Sequence, residues 1–522
     1  MQRERKIKIL YASLLNLCLL TAPAVAQDSL HYRLGIHTAV ASQDYLPHWS
    51  TANRFGVLDD GDYALGWLRG AATYHRPLTK QVRLEVGLDL LTKVPFAGEL
   101  SPRLRLQQGY VRLRYGIFEL GGGWQQRTLG TQADGLTTGS LSVSGNARPI
   151  PQVLFAVPEY SAVPYTRGYV EFKGTFAHGW MGDDRFVRGA WLHQKSLFVR
   201  GGGSFWLNGS VGLVHNVVWG GTYPGVGQLP NGLSDFWQVI RGEGAKNVDL
   251  NNPVLLGEAS ALGDNLGVYD FSLLFKAKNY HVLVYHQTPF EDKTGSRLTR
   301  NRDRLLGINL TVPKANHWIE SVVYEYLYTK YQSGPTIPGA PNGPPADKFG
   351  NDFGGRDNYY NNAVYKTGWV HAGRIIGTPL FFTEARMRHY VPGFVEPDDS
   401  GFNFNVVNNR VVAHHVGVKG VIKRVGYRLL STFSTNYGTY GGINGGIGEW
   451  GSIDNPDAPY AFRPPQRQSY FLLEIESHPF SPQWSLLTSL AVDAGELTDN
   501  LGVLVGLRRE GVWTRERAKD RP

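Results

Sequence analysis

Three stretches of this chain set aromatic rings beside carboxylates, amides and guanidiniums. Arg356-Asp357-Asn358-Tyr359-Tyr360 is one, Asp235 with Trp237 and Arg241 is a second, and Trp450 with Asp454 and Asn455 is a third. Such sets can hold a sugar, because a ring covers the apolar face of a pyranose while the polar groups bond its hydroxyls. A fourth block, Gly212-Leu213-Val214-His215-Asn216-Val217-Val218-Trp219-Gly220-Gly221, places His215 and Trp219 four apart. In a strand they share a face. They could bring an imidazole and an indole into a cavity, although a packed strand end followed by a glycine turn is the commoner meaning.

Groups for catalysis or metal binding make a weaker case. The chain has no His-Glu-x-x-His helix and no Gly-x-Ser-x-Gly elbow. Gly446-Ile447-Gly448-Glu449-Trp450-Gly451 fits a Gly-x-Gly-x-x-Gly string, yet it lies in a glycine-rich loop without the strand and helix a dinucleotide site needs. His414 and His415 are adjacent, so in a strand they face opposite sides and make no metal pair by themselves. Asp59, Asp60 and Asp62 read as an acidic turn rather than a calcium loop, since no terminal Glu completes the ligand set. The only cysteine, Cys18, lies in the N-terminal apolar segment, which excludes disulfides and thiolate sites from the mature chain. The expectation is a protein with no catalytic residues, no metal and no cofactor.

Strands must position the candidate groups. Val82, Leu84, Val86, Leu88 and Leu90 alternate with Arg83, Glu85, Gly87 and Asp89, so one face of this segment is apolar and the other wet. The same period recurs at Val111–Ile117, Leu306–Val312, Val412–Lys419 and Leu501–Arg508. Phe271–Ala277 and His281–Gln287 flank a turn at Lys278-Asn279, as in a hairpin. Arg3, Arg5, Lys6 and Lys8 precede an apolar stretch from Ile9 to Leu20, and Ala24-Val25-Ala26 follows, so residues 1–26 read as a signal peptide and 27–522 as one domain. No later apolar run reaches the roughly 18 residues of a spanning helix. With 63 Gly and 12% aromatics, the chain is expected to be all-β: a transmembrane antiparallel barrel, the one strand structure that satisfies every backbone group in lipid. Val82, Leu84, Val86, Leu88 and Leu90 should then face lipid, and Arg83, Glu85 and Asp89 a polar interior. Residues 228–265, with a short helix at 235–240, 332–362 and 440–468 are the candidate external loops. Residues 129–165 form a further break, in which Val157-Pro158 is not expected inside a central strand. Most of the 13 Trp and 27 Tyr belong at the lipid boundary on this reading. Loss of residues 1–26 removes four basic residues and one acidic, taking the formal charge from +9 to +6 without a basic block. Nucleic acid is not an expected partner.

The residues also resemble a known family. His48-Trp49-Ser50-Thr51-Ala52-Asn53-Arg54-Phe55-Gly56, Leu192-His193-Gln194-Lys195 and the Gly212–Gly221 block look like recurring motifs of the capsule assembly Wzi family. Tyr285–Asp292, Glu325–Thr329 and Asp357–Asn362 continue the series in order, so the resemblance runs from about Tyr32 to Trp513. It implies an outer-membrane barrel of about eighteen strands with short accessory helices and long extracellular loops. It also implies a lectin-like role in a Gram-negative outer membrane, with capsular or other surface polysaccharide, outer-membrane lipid and lipopolysaccharide, and the polysaccharide export machinery as partners. His48, Trp49, Asn53, Arg54, His193, His215 and Trp219 are the family-motif residues. Trp237, Arg241, Arg356, Asp357, Asn358, Tyr359, Tyr360 and Trp450 are the expected polysaccharide contacts. A diffusion channel is the alternative, and an outer-membrane hydrolase a more distant one. No helical pattern runs from Gln27 to Arg54, so a helical plug at the N-terminus is not expected.

Overall fold

The computed structural model describes residues 28–96, 103–246, 252, 261–291, 296, 298, 301–314, 316–334, 357–396, 404–443 and 459–514. The expected signal segment, Arg356 and Trp450 lie outside these residues. Eighteen strands form one sheet: β1 Ser29–Ala41, β2 Ala64–Pro77, β3 Val82–Pro95, β4 Arg103–Tyr115, β5 Phe118–Trp124, β6 Pro151–Ala162, β7 Val170–Trp180, β8 Trp191–Gly201 and β9 Leu207–Trp219. It continues through β10 Asp264–Lys276, β11 His281–Phe290, β12 Arg304–Thr311, β13 Ser321–Tyr328, β14 Val411–Ile422, β15 Val425–Asn436, β16 Gln466–Ser477, β17 Trp484–Gly495 and β18 Asn500–Thr514. Each strand pairs antiparallel with the next, and β18 returns to β1 with Trp513 opposite Leu30 and Val503 opposite Val40. The sheet therefore closes without an edge.

Burial along β3 shows what the closed sheet separates. Leu88 is 47% exposed while its neighbour Asp89 is 2% exposed, the reverse of a water-soluble fold. Asp89 is reached by Arg69 at 2.6 Å and Glu85 by the Tyr110 hydroxyl at 2.8 Å, both inside the barrel. The outward face carries exposed Leu34, Ile36, Leu68, Val111, Leu120 and Leu501. The faces expected from the period of two are those observed.

One strand departs from expectation. Val157-Pro158 lies inside β6, where the register to β7 shifts between Val157 and Ser161. The irregularity takes the proline, which has no N–H for a ladder, without ending the strand.

Odd and even connections differ in length. Those at the end holding both described termini are short, as at 78–81, 116–117 and 423–424, whereas the opposite end has 42–63, 125–150, 220–263 and 329–410. In outer-membrane barrels short turns face the periplasm and long loops the exterior. Among the described residues four helices lie in the long connections: α1 His48–Thr51, α2 Leu233–Arg241, α3 Glu384–Tyr390 and α4 Tyr440–Ile443. Part of the aromatic content lies inside the barrel rather than at the lipid boundary. Trp49, Trp369, Tyr285, Tyr359, Tyr360, Tyr365, Tyr470, Phe382 and Phe462 are fully buried in an apolar core inside the barrel.

Candidate functional site

The long connections fold inward, and lumen-facing polar side chains of the strands hold them. Asp270 on β10 accepts from the Thr131 amide and hydroxyl, each at 2.6 Å. Glu325 on β13 accepts from the Thr137 hydroxyl and from the amide and hydroxyl of Thr138, all at 2.6 Å, and also from the Tyr285 hydroxyl. Gln287 on β11 receives the Leu141 amide at 3.0 Å, and His415 on β14 donates to the Leu136 carbonyl at 2.6 Å. A buried carboxylate in a water-poor lumen is tolerated only when such donors surround it. Segment 129–148 supplies them, so strand wall and loop fix each other.

Residues 42–63 dock beside that segment. The His48 amide donates to Asp493 at 2.8 Å, the Trp49 indole to Thr432 at 3.1 Å, the Asn53 amide group to the Thr137 carbonyl at 3.2 Å, and Arg54 to Glu474 at 3.0 Å. These family-motif residues therefore anchor a plug. The three aspartates each meet cations of the protein itself: Asp60 meets Arg374 and Arg386, each at 2.7 Å, Asp59 meets Lys93 and Arg105, and Asp62 meets Lys93. Burial alone would raise the Asp59 carboxyl, but Arg105 and Lys93 outweigh it and hold it at about 2. Against the same burial penalty, Arg374 and Arg386 hold Asp60 below its ordinary value.

Residues 357–396 and 404–410 close the plug from outside. Tyr360 donates to the Leu141 carbonyl at 2.5 Å, the Trp369 indole to the Ser142 carbonyl at 2.8 Å, and Tyr359 to Asp303 at 2.9 Å. Tyr359 and Tyr360 are each 1% exposed, and Asn358 is buried with Asn361 and Asn409 bonded to its amide oxygen. The expectation that these three touch polysaccharide is corrected, since stacking needs an open ring face, all three are buried, and both tyrosine hydroxyls and the Asn358 amide oxygen are already engaged. Asp357 lies nearer the surface and accepts from Ser333.

His193, His215 and Trp219 do not point into the lumen. Their lumen-facing neighbours Gln194 and Asn216 bond each other at 2.9 Å, so the three motif residues occupy the outward side of β8 and β9. The cavity reading of His215 and Trp219 is therefore replaced by packing: Phe236 of α2 stacks on Trp219 with ring centres 5.7 Å apart. Trp237 and Arg241 stand on the same helix, Arg241 paired with Glu243 at 2.9 Å.

Two features escaped the sequence. At the extracellular rim Phe186 and Tyr223 meet edge to face at 5.1 Å, and the Lys366 ammonium lies 5.1 Å from the Phe186 ring centre. Their three positions are 37 or more residues apart, so no spacing could reveal them. Below the plug, clefts of about 340, 330 and 300 Å³ meet at Gln126 on the side of the short turns. Their guanidiniums are largely neutralised, Arg69 by Asp89, Arg112 by Glu85, and Arg54 and Arg428 by Glu474.

Fold and site together define a class: an eighteen-stranded outer-membrane barrel whose lumen is filled by its own loops. The capsule assembly protein Wzi family matches residues 56–387, more than half of the chain, and the chain belongs to that family. The solved structure of Wzi, an outer membrane protein involved in group 1 capsule assembly in Escherichia coli and a carbohydrate-binding β-barrel, is similar at 15% identity and a TM-score of 0.53. The likeness covers 91% of this chain and 83% of that one. OccAB4 of Acinetobacter baumannii aligns at 8% identity and a TM-score of 0.45 over 94% of this chain and 99% of its own, and OprD of Pseudomonas aeruginosa at 9% and 0.42 over 93% and 95%. No curated protein matches the sequence.

Proposed function

We propose that this barrel binds a surface polysaccharide non-covalently on its extracellular side and supports the assembly or attachment of a capsule or exopolysaccharide layer. The plug is the observation that carries this reading. Three inward segments tied to the wall by buried carboxylates make a rigid platform, suited to holding a polymer rather than passing solutes. Family membership and the carbohydrate binding of the Escherichia coli relative support the same conclusion. The sugar-contacting surface includes Tyr223, Phe186 and Lys366 at the rim, where ring edge and ammonium suit an acidic saccharide. Arg356, Asp357 and Trp450 are further contacts on this reading. Export through a signal at residues 1–26, contact with lipopolysaccharide and with the polysaccharide export machinery, and the absence of enzymatic turnover belong to this reading.

The decisive experiment is a pull-down of native surface polysaccharide by the purified barrel, with unrelated polysaccharides as controls. Selective retention is expected, and its reduction in Tyr223→Ala/Lys366→Ala would place the contact at the rim. Equal retention of all polysaccharides would defeat the reading.

A further inference from the structure

Helix α2 lies on the outside of the barrel. Its residues Phe236 and Val239 pack on Trp219 and Val217, which with Trp191 belong to the outward face of β8 and β9. Beneath it are polar groups that an outer wall cannot show to lipid cheaply: His193 is fully buried, His178 and Phe236 meet edge to face at 5.4 Å, and the Lys195 ammonium donates to the Ile240 carbonyl. The helix is thus a cover for an outward polar cluster on membrane-spanning strands.

The other side of that cover is apolar. At 100° per residue Leu233 and Trp237 share the face turned away from the wall, with Ile240 beside them, and they are 76% and 54% exposed. A helix exposed to water would put polar residues there; here Gln238 is on the buried side. The apolar face continues the lipid-facing band, because Leu197, Val211 and Leu213 are exposed on the same strands. The level is marked by Trp180, Trp191 and Trp219, which stand opposite one another at the extracellular ends of β7, β8 and β9. Outward tryptophans in such a row sit at the membrane–water boundary. At the ends, Asp235 accepts the Gly232 amide at 2.8 Å, and Gly242, at φ +68°, turns the chain out of the helix.

We infer that α2 is an interfacial helix, with Leu233 and Trp237 seated in the outer leaflet at the headgroup–acyl boundary. This assigns Trp237 to lipid rather than to sugar. It gives the barrel a fixed depth and rotation beneath the loops, and it holds whether or not the rim binds polysaccharide.

The test uses the full chain with Cys18→Ser and single cysteines at Leu233→Cys or Trp237→Cys, labelled with a polarity-sensitive fluorophore. The protein is reconstituted in phosphatidylcholine vesicles with and without lipid carrying a nitroxide near the headgroup end of the acyl chain. Leu213→Cys serves as the lipid-facing control and Asp183→Cys, in an exposed loop, as the aqueous one. Quenching by the nitroxide lipid and blue-shifted emission at 233 and 237, comparable with those at 213, are expected. Reporters that resist the nitroxide and respond to aqueous iodide like the one at 183 would overturn the inference. So would a reporter at 237 that answers only to native polysaccharide.

Discussion

Asp60 is the side chain on which most of the plug turns. Its carboxylate joins residues 42–63 to Arg374 and to Arg386 on α3, and both guanidiniums are nearly buried. Removing one member of a buried ion pair strands its partners, so Asp60→Asn should cost about 3 kcal/mol in the docking of the plug. The check is protease cleavage within 42–63 or 357–396 while the barrel keeps its heat-resistant mobility on gels. Acid should imitate this variant. Asp59 and Asp60 are held below their unfolded values, so their contribution is complete above the ordinary carboxylate range and is lost as pH falls through the folded values, for Asp59 about 2. Loop protection measured by proteolysis with an acid-stable protease should therefore survive pH 5 and fail near pH 2–3. The three aspartates are legible in the sequence as an acidic turn. Their cations stand on β3, on β4 and more than 300 residues away at 374 and 386, which local spacing does not show.

The strands were the most legible elements, since each alternates over many residues between two media. β3 offers a direct comparison. Val86→Arg should cost about 2–4 kcal/mol near the midplane, read as a shift in urea unfolding from phosphatidylcholine vesicles. Glu85→Gln should cost about 1 kcal/mol, because Tyr110 and Arg112 keep an acceptor. Glu85→Lys would bring a second cation to Arg112 and cost more than a swap on a solvated face. A lumen position is thus less forgiving than its polarity suggests. The short helix expected at 235–240 is also present, as Leu233–Arg241. Its location on the outer wall was illegible, for the same sequence could cap a loop.

Considered whole, the molecule is a barrel closed across the sheet and filled along its axis. Apolar clusters from the loops and from the inner faces of most strands form the filling, and polar anchors tie it to the wall. Purified protein in planar bilayers should show no steady conductance. Deleting residues 130–147, which Asp270, Gln287 and Glu325 hold, should produce measurable openings, and the same current before and after deletion would show that the plug does not seal the pore.

The sequence alone sets the two faces of the strands whose alternation it displays, the all-β class, the long candidate loops and the family resemblance. All of these are local, repeated signals: a period of two and short motifs survive without knowing what lies across the barrel. That Tyr359 and Tyr360 are interior struts, that His193, His215 and Trp219 face outward under a helix, and that the loops turn inward follows from the three-dimensional arrangement alone. Those outcomes depend on which distant donors meet each buried acceptor, and on which side of a closed wall a connection falls. Neither is encoded in spacing along the chain.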